Sequence, residues 1–414
     1  MVNAQEIDLS DLDFWARPQP ERHAALAAIR RELVLPFYAE PDFEQDWVQP
    51  GPGYWAVLRH ADVDAVSHQP DIYSSAGGAT NIFDLPVEFL EYFGSMINMD
   101  APRHLRLRRI VARAFSPRMV GRIEQHISTV ASGVVADLAA SGPGDFVAKV
   151  SARVPLEVIC TMMGIPRDKY ADVFRNSNII LGAQDPEYVP EGSDIATALL
   201  TAGAELSALL AELSVERRAT PTDDLVSALV NAEVDGERLT DQEIGSFFIL
   251  LVVAGNETTR SAIASALVSL TEHPEERARW QADFDGLAPT AVEEILRWAT
   301  PVTWMRRTAT RDAELAGKQI KAGDKLLLFY NAANRDETVF EEPDRFNLSR
   351  SPNPHLTFGG TGPHFCLGAH LARREITEVF RQLFTQVPEI RATGEPERLR
   401  SSFINGIKHV PCEF

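Results

Sequence analysis

The sequence predicts a mainly α fold: one large helical domain with a small strand-containing lobe. Three observations carry that prediction. Apolar residues recur at helical period over 21–33, 119–140, 195–218, 240–270, 290–298 and 367–383. Strand-like stretches are few and short. And over 414 residues no repeat, low-complexity tract or Ser/Gly linker divides the chain. Length alone would suggest two or three domains at about 150 residues each; the unbroken helical pattern favours a single domain over 1–414.

Taken in order, the helix at 21–33 is rich in Ala, Leu, Glu and Arg. Tyr54-Trp55-Ala56-Val57-Leu58 follows a Pro-Gly-Pro-Gly turn and reads as a strand, as does 325–330 after Ala322-Gly323-Asp324. The small lobe is therefore expected from roughly 30–70 and 300–335. Thr240 and Glu243 form a capping box ahead of an apolar run from Ile244 to Val253 that leaves little room for a solvent face, so this helix is expected to be buried. It continues through Ala254-Gly255-Asn256-Glu257-Thr258-Thr259-Arg260. Burying an unpaired carboxylate is costly, so either the helix surfaces there, or it opens beside a small site, with Gly255 admitting a ligand and Glu257 and Thr258 handling protons.

The composition excludes several classes. Fifty-nine acids stand against 40 Lys and Arg, a net charge of −19, which argues against a general nucleic-acid binder. With 45% apolar and 24% charged residues the chain is neither disordered nor fibrous. The first ten residues lack the features of a secretory signal. The most hydrophobic window, 247–254, is far below the about 20 residues of a membrane span, so no membrane anchor is expected. Cys160, Cys366 and Cys412 are too far apart for a disulfide framework or a structural zinc site. A reducing cytoplasm is the expected compartment.

The most informative segment is Phe358-Gly359-Gly360-Thr361-Gly362-Pro363-His364-Phe365-Cys366-Leu367-Gly368. Its glycines allow close backbone approach to a bulky flat object. Phe365 stands where a dinucleotide fingerprint needs its third glycine, and no Gly-Lys-Ser/Thr follows, so phosphate chemistry is not supported. Cys366 instead opens a strong helix, whose dipole and free amides favour a thiolate. One thiolate with no second Cys or His at ligand spacing suits a metal already held in a macrocycle, which points to haem.

The segment 358–368 resembles the haem-binding signature of the cytochrome P450 monooxygenases. Ala254-Gly255-Asn256-Glu257-Thr258 is similar to that family's oxygen-activating segment, and Glu294-Ile295-Leu296-Arg297 to its Glu-x-x-Arg, with Arg345 expected to close the network. The resemblance implies the cytochrome P450 fold and haem b (iron protoporphyrin IX), with Cys366 as proximal metal ligand. It further implies His104, Arg108, Arg307 and His364 as partners of the haem carboxylates. Thr258 would hold a distal water and Glu257 would feed protons as O2 is cleaved. The chain has no flavin or nucleotide fingerprint, so electrons are expected from a ferredoxin and ferredoxin reductase. Seven Arg and no acid lie between 101 and 123, and this run is the expected docking face, with Arg109 and Arg113 as its test positions.

By position in the motifs, Ile97, Phe248, Val253, Val302, Trp304 and Phe403 are expected to contact a large hydrophobic substrate. Runs such as 92–100, 297–302, 353–358 and 403–408 resemble the actinobacterial, chiefly mycobacterial, group that hydroxylates terminal methyls of methyl-branched lipids and the cholesterol or cholestenone side chain. Two alternatives stand beside this reading: a hydroxylase of a polyketide or terpene, and a haem–thiolate sensor without enzymatic activity, against which Glu257 and Thr258 speak.

Overall fold

The computed structural model describes residues 3–41, 51–114, 117–189, 192–234 and 236–414; part of the expected small lobe, 42–50, lies outside them. After short helical segments at Ala4–Glu6 and Leu12–Ala16, the chain forms α1 (Gln19–Glu32), then runs through strands β1 (Phe37–Tyr38), β2 (Tyr54–Val57) and, past a helix at His60–Ser67, β3 (Tyr73–Ser74). A helical stretch follows: α2 (Val87–Gly94), α3 (Arg103–Ala114), α4 (Pro117–Ser141), α5 (Arg153–Met163), α6 (Tyr170–Leu181), α7 (Ile195–Ala219), α8 (Asp241–Glu272) and α9 (Phe284–Ala299). Strands β4 (Trp304–Ala309) and β5 (Lys325–Phe329) return to the sheet before α10 (Ala369–Gln386) and β6 (Ile407–His409).

The sheet has the order β1-β2-β5-β4-β3. β2 and β5 run parallel, with Tyr54 opposite Lys325, while β5 and β4 are antiparallel, with Leu327 opposite Arg306. Alternation sends neighbouring residues to opposite faces. Leu327 and Phe329 join one apolar cluster with Tyr54, Trp304 and Trp15, whereas Leu326 and Leu328 join another with Val57 and Val63. β5 is buried on both faces, which explains its continuous apolar sequence.

α8 is the axis of the large core. Its capping box forms as the sequence requires: Thr240 Oγ1 accepts from Glu243 N at 3.1 Å and Glu243 Oε2 from Thr240 N at 2.8 Å. The helix is buried with few breaks from Ile244 to Leu270. It and α7 are each long and apolar enough to cross a membrane, but α8 is a core helix, 72% of its apolar window being covered by protein.

α9 begins earlier than the apolar period suggests, because the Asp283 side chain caps it by accepting from Gly286 N at 3.1 Å. Its Glu294 and Arg297 are fully buried and paired at 2.8 and 2.9 Å. The closing arginine is Arg350, whose Nε donates to Glu294 Oε2 at 3.1 Å. Arg345 does not close the network: its exposed side chain pairs with Glu342, and only its backbone carbonyl reaches Arg297 and Arg350.

Candidate active site

The loop 358–368 is built around its glycines. Gly359 and Gly360 have φ of +88° and +69°, which other residues rarely adopt. Gly362 lies against the end of the helix His60–Ser67 so closely that a Cβ would sit 2.2 Å from the Ser67 carbonyl oxygen. Cys366 N donates to Phe358 O at 3.0 Å, folding the loop back on itself, and His68 bonds Thr361 Oγ1 at 2.7 Å. Arg373, one turn into α10, stands over the Phe358 ring and donates to Glu293 of α9. His355 bonds the same carboxylate at 3.0 Å. Although burial alone would raise it, these partners pull Glu293 down to about 2.

Cys366 is accessible yet almost surrounded by protein, so its sulfur faces an internal space. Burial raises the thiol pKa, and the Gly368 N–H with Arg108 and Arg373 offsets only part of that. The favourable helix terminus expected from the sequence is therefore present but outweighed by desolvation. A metal would supply what the protein alone does not.

Two arginines and two histidines gather beside this cysteine. The His104 and His364 rings lie 4.1 Å apart, Arg108 donates to Phe365 O at 2.6 Å, and buried Arg307 donates to the neighbouring Arg306 carbonyl at 2.8 Å. Burial, then Arg307, His104 and Arg108, push His364 down to about 2. Burial and Arg108 likewise lower His104. Asp100 is engaged by Ser74 and Ser75. No carboxylate among the described residues pairs with any of the four, and the buried His104 Nε2 has no partner. Such a cluster is complementary to anions.

On α8, Ala254 is exposed although the helix is in the core, so the helix does open there. Gly255 does not face that opening; a Cβ on it would touch Ile159 of α5 at 3.4 Å. Thr258 Oγ1 donates to Ala254 O at 2.9 Å. Glu257 is buried in an ion pair with Arg260, and Ser261 Oγ donates to its Oε1 at 3.2 Å. Arg260 also donates to Asn178 of α6 at 3.0 Å.

A Cytochrome P450 family profile matches residues 194–386. The methyl-branched lipid omega-hydroxylase of Mycobacterium tuberculosis is 50% identical over 413 residues, covering 99% of this chain and 95% of that one. This chain belongs to the cytochrome P450 family. It is a cytochrome P450 monooxygenase, with the mainly α cytochrome P450 fold. The steroid C26-monooxygenase of Mycolicibacterium smegmatis is 43% identical, covering 87% of this chain and 84% of that one. Among solved structures, Mycobacterium marinum cytochrome P450 CYP268A2, in complex with pseudoionone, superposes with a TM-score of 0.92 at 43% identity, covering both chains fully.

Membership of the P450 family implies a haem–thiolate iron. The residues present fit one: an accessible sulfur on a glycine loop, beside a set of donors that no carboxylate among the described residues pairs, with an orphaned ring nitrogen.

The substrate-contact expectations divide. Phe248 is fully buried in the large core, and Trp304 is buried against Phe403 at 4.9 Å, so both fill apolar clusters. Val253 is nearly buried on α8, whereas Ile97, Val302 and Phe403 keep partial exposure. Val302 forms an isolated bridge with Ile404. Sequence reasoning missed Glu293, Arg373 and His355 as the support of the loop. It had placed Glu293 and Arg373 in helices, but nothing local signals that they meet.

The Arg-rich run is less free than its sequence suggests. Arg103 pairs with Glu91, Arg106 with Glu237 and Glu243, and Arg122 with Asp223. Asp223, Glu237 and Glu243 come from afar, whereas Glu91 lies only 12 residues before Arg103. The side chains of Arg113 and Arg118 lie outside the described residues.

Proposed function

We propose that this monooxygenase hydroxylates the terminal methyl of methyl-branched lipids, with the cholesterol or cholestenone side chain as an overlapping substrate. The 50% identity to the methyl-branched lipid omega-hydroxylase along 99% of the chain carries this reading. Ile97, Val253, Val302 and Phe403 are the proposed substrate contacts, with Phe248 and Trp304 packing behind them.

Haem b, bound through Cys366, supplies the activation of O2. The rest is the work of the chain. Cys366 presents its sulfur to the iron, steadied by the Gly368 N–H. His104, Arg108, Arg307 and His364 would hold the haem carboxylates, and those anions would offset the burial and the neighbouring arginines that depress the two histidines. Thr258 directs its hydroxyl hydrogen to Ala254 O, leaving oxygen lone pairs to accept from a distal water. Glu257 serves proton delivery by leaving Arg260, since Arg260 and Ser261 otherwise occupy its oxygens. A primary C–H is harder to break than a nearby tertiary one, so regioselectivity falls to the apolar walls that admit only a chain end.

Electrons are proposed to come from a ferredoxin and its reductase. Arg103, Arg106 and Arg122 of the basic run are paired with acids, and Arg109 and Arg113 stay the positions that test the run as the docking face. The cytoplasm is the proposed compartment, since Cys160, Cys366 and Cys412 form no disulfide.

The test is a binding and turnover panel with a methyl-branched fatty acid, cholest-4-en-3-one and pseudoionone. A branched lipid is expected to shift the Soret band to the blue and to yield terminal alcohol with a surrogate redox chain. No shift with any branched lipid or sterol, or attack inside the chain, would overturn the substrate assignment. A response to pseudoionone alone would favour the terpene alternative.

A further inference from the structure

The first turns of α1 carry a charge that no acid among the described residues balances. Arg22 is only 4% exposed, yet it forms no ion pair. Its Nη2 donates to Asn405 Oδ1 at 3.1 Å, and its enclosed Nε has no partner. Burial and then Arg398 depress its pKa to about 9, and no acid acts against them.

Arg398, near the other end of the chain, donates through Nη2 to Gln19 Oε1 at 3.1 Å. Gln19 and Arg22 lie three residues apart and share a face of α1. With Oε1 committed, the enclosed Gln19 Nε2 is a second donor without a partner. Rotating the amide would only set it against Arg398, donor against donor. Arg398 makes no ion pair among the described residues and feels Glu272 and Glu395 only through space.

A third orphan belongs to the same group. Arg335, 5% exposed, donates through Nη1 to Asp344 at 2.9 Å and stacks on the Trp298 ring, but its buried Nη2 has no partner. His23, next to Arg22, joins these groups. After burial, it is Arg335, Arg22 and Arg398 that drive its pKa well below the usual imidazole range. α1 also starts at Gln19, which adds the positive end of its dipole.

Buried donors are ordinarily paired, and buried cations are ordinarily matched by anions. Here three segments distant in sequence bring unpaired donors to one imidazole. We propose that this cluster is a binding site for a small inorganic oxyanion of the phosphate kind, held by Gln19, Arg22 and Arg398, with Arg335 and His23 at its border. Arg22 and Arg398, both without an acid, together balance a dianion, and their planar forks suit an oxyanion better than a spherical halide. Gln19 and Arg398 keep partial exposure, which gives the ion its way in. Asn405, the partner of Arg22, is tied through Nδ2 to Ala299 O at the end of α9 at 2.7 Å. The bound ion therefore fastens the N-terminal helix to the C-terminal segment and to α9.

The test uses the haem-loaded enzyme in a phosphate-free cationic buffer, with sodium phosphate exchanged for sodium chloride at constant ionic strength. The net charge of −19 works against unspecific uptake of anions. Calorimetry is expected to give saturable binding of one phosphate per haem, and the thermal midpoint should rise with phosphate but not with chloride. Arg22→Met should weaken phosphate binding at least about tenfold, the scale of a lost charge-assisted hydrogen bond. Without phosphate the same variant should melt no lower than the wild type, since it removes an unbalanced buried charge. Arg398→Gln, at a partly exposed position, should weaken binding likewise and decides the matter if Arg22→Met does not fold. No saturable phosphate binding, or equal stabilisation by chloride, overturns the site. Undiminished binding in the variants, or an equal drop in the Arg22→Met midpoint with and without phosphate, overturns it too.

Discussion

Arg373 lies over the ring of Phe358, its guanidinium carbon 4.5 Å from the ring centre. The helix after Cys366 is thereby clamped to the residue that begins the cysteine loop. Glu293 completes the clamp by accepting from Arg373 Nε and Nη2 at 2.6 and 2.9 Å.

This clamp makes loop stability depend on acid. Glu293 is held at about 2 instead of 4.5, so its contribution is complete above 4.5 and is lost as pH falls towards 2. At about 1.4 kcal/mol per pH unit the contribution is about 3 kcal/mol. Glu293→Gln should lower the unfolding free energy by that order at pH 7 and flatten its dependence between pH 5 and pH 2, measured by denaturant titration across that range. An unchanged pH profile would remove Glu293 from the clamp.

Arg345 and Arg350 should separate cleanly. Arg350→Met leaves the buried Glu294 short of a partner and should cost about 3–5 kcal/mol. Arg345→Ala removes only an exposed pair with Glu342 and should cost under about 1 kcal/mol. Equal losses in urea unfolding would contradict the network drawn here.

Thr258→Ala should bind substrate normally but divert reducing equivalents to peroxide, read as the ratio of product to NAD(P)H consumed. Arg260→Met should act otherwise: it leaves the buried Glu257 carboxylate without its cation, so the coupling ratio is expected to fall with substrate affinity retained. An unchanged coupling ratio would remove the pair from proton delivery.

Gly362→Ala should abolish stable haem incorporation, because the new methyl meets the Ser67 backbone and cannot be relieved by a rotamer change. Gly133→Ala, in α4 with nothing within 4 Å of its would-be Cβ, should be neutral or stabilising by up to about 1 kcal/mol. Haem content per polypeptide and thermal midpoints distinguish the two.

What could be read in advance was local. The capping box of α8, the strands after their turn signals and the glycine loop each depend on neighbours in sequence, and each formed as expected. Helix α3 carries a short apolar stripe, Leu107, Ile110 and Val111, all buried, but with Arg at five of its twelve positions it was legible only through its His104 and Arg108. β4 reads Trp-Met-Arg-Arg-Thr-Ala with no polar–apolar alternation, and its register becomes clear only once β5 lies beside it. The same limit explains the misassigned arginine: Arg345 sits at the motif's position, yet the turn beyond it brings Arg350 to Glu294. The basic run misled for the mirror-image reason, since most of the acids that neutralise it come from afar.

The parallel pairing of β2 with β5 has a consequence for how the chain is made. Tyr54 finds Lys325 only after 271 further residues (325 minus 54) have been synthesised. At about 5–20 residues per second that is roughly 14–54 s on the ribosome. Throughout that interval β2 has a bare edge, and the Glu40 carboxylate, later sealed beside Lys325, has no ammonium to meet. The N-terminal end of this protein is thus written first and finished almost last, which makes it the part of the nascent chain with most need of a chaperone.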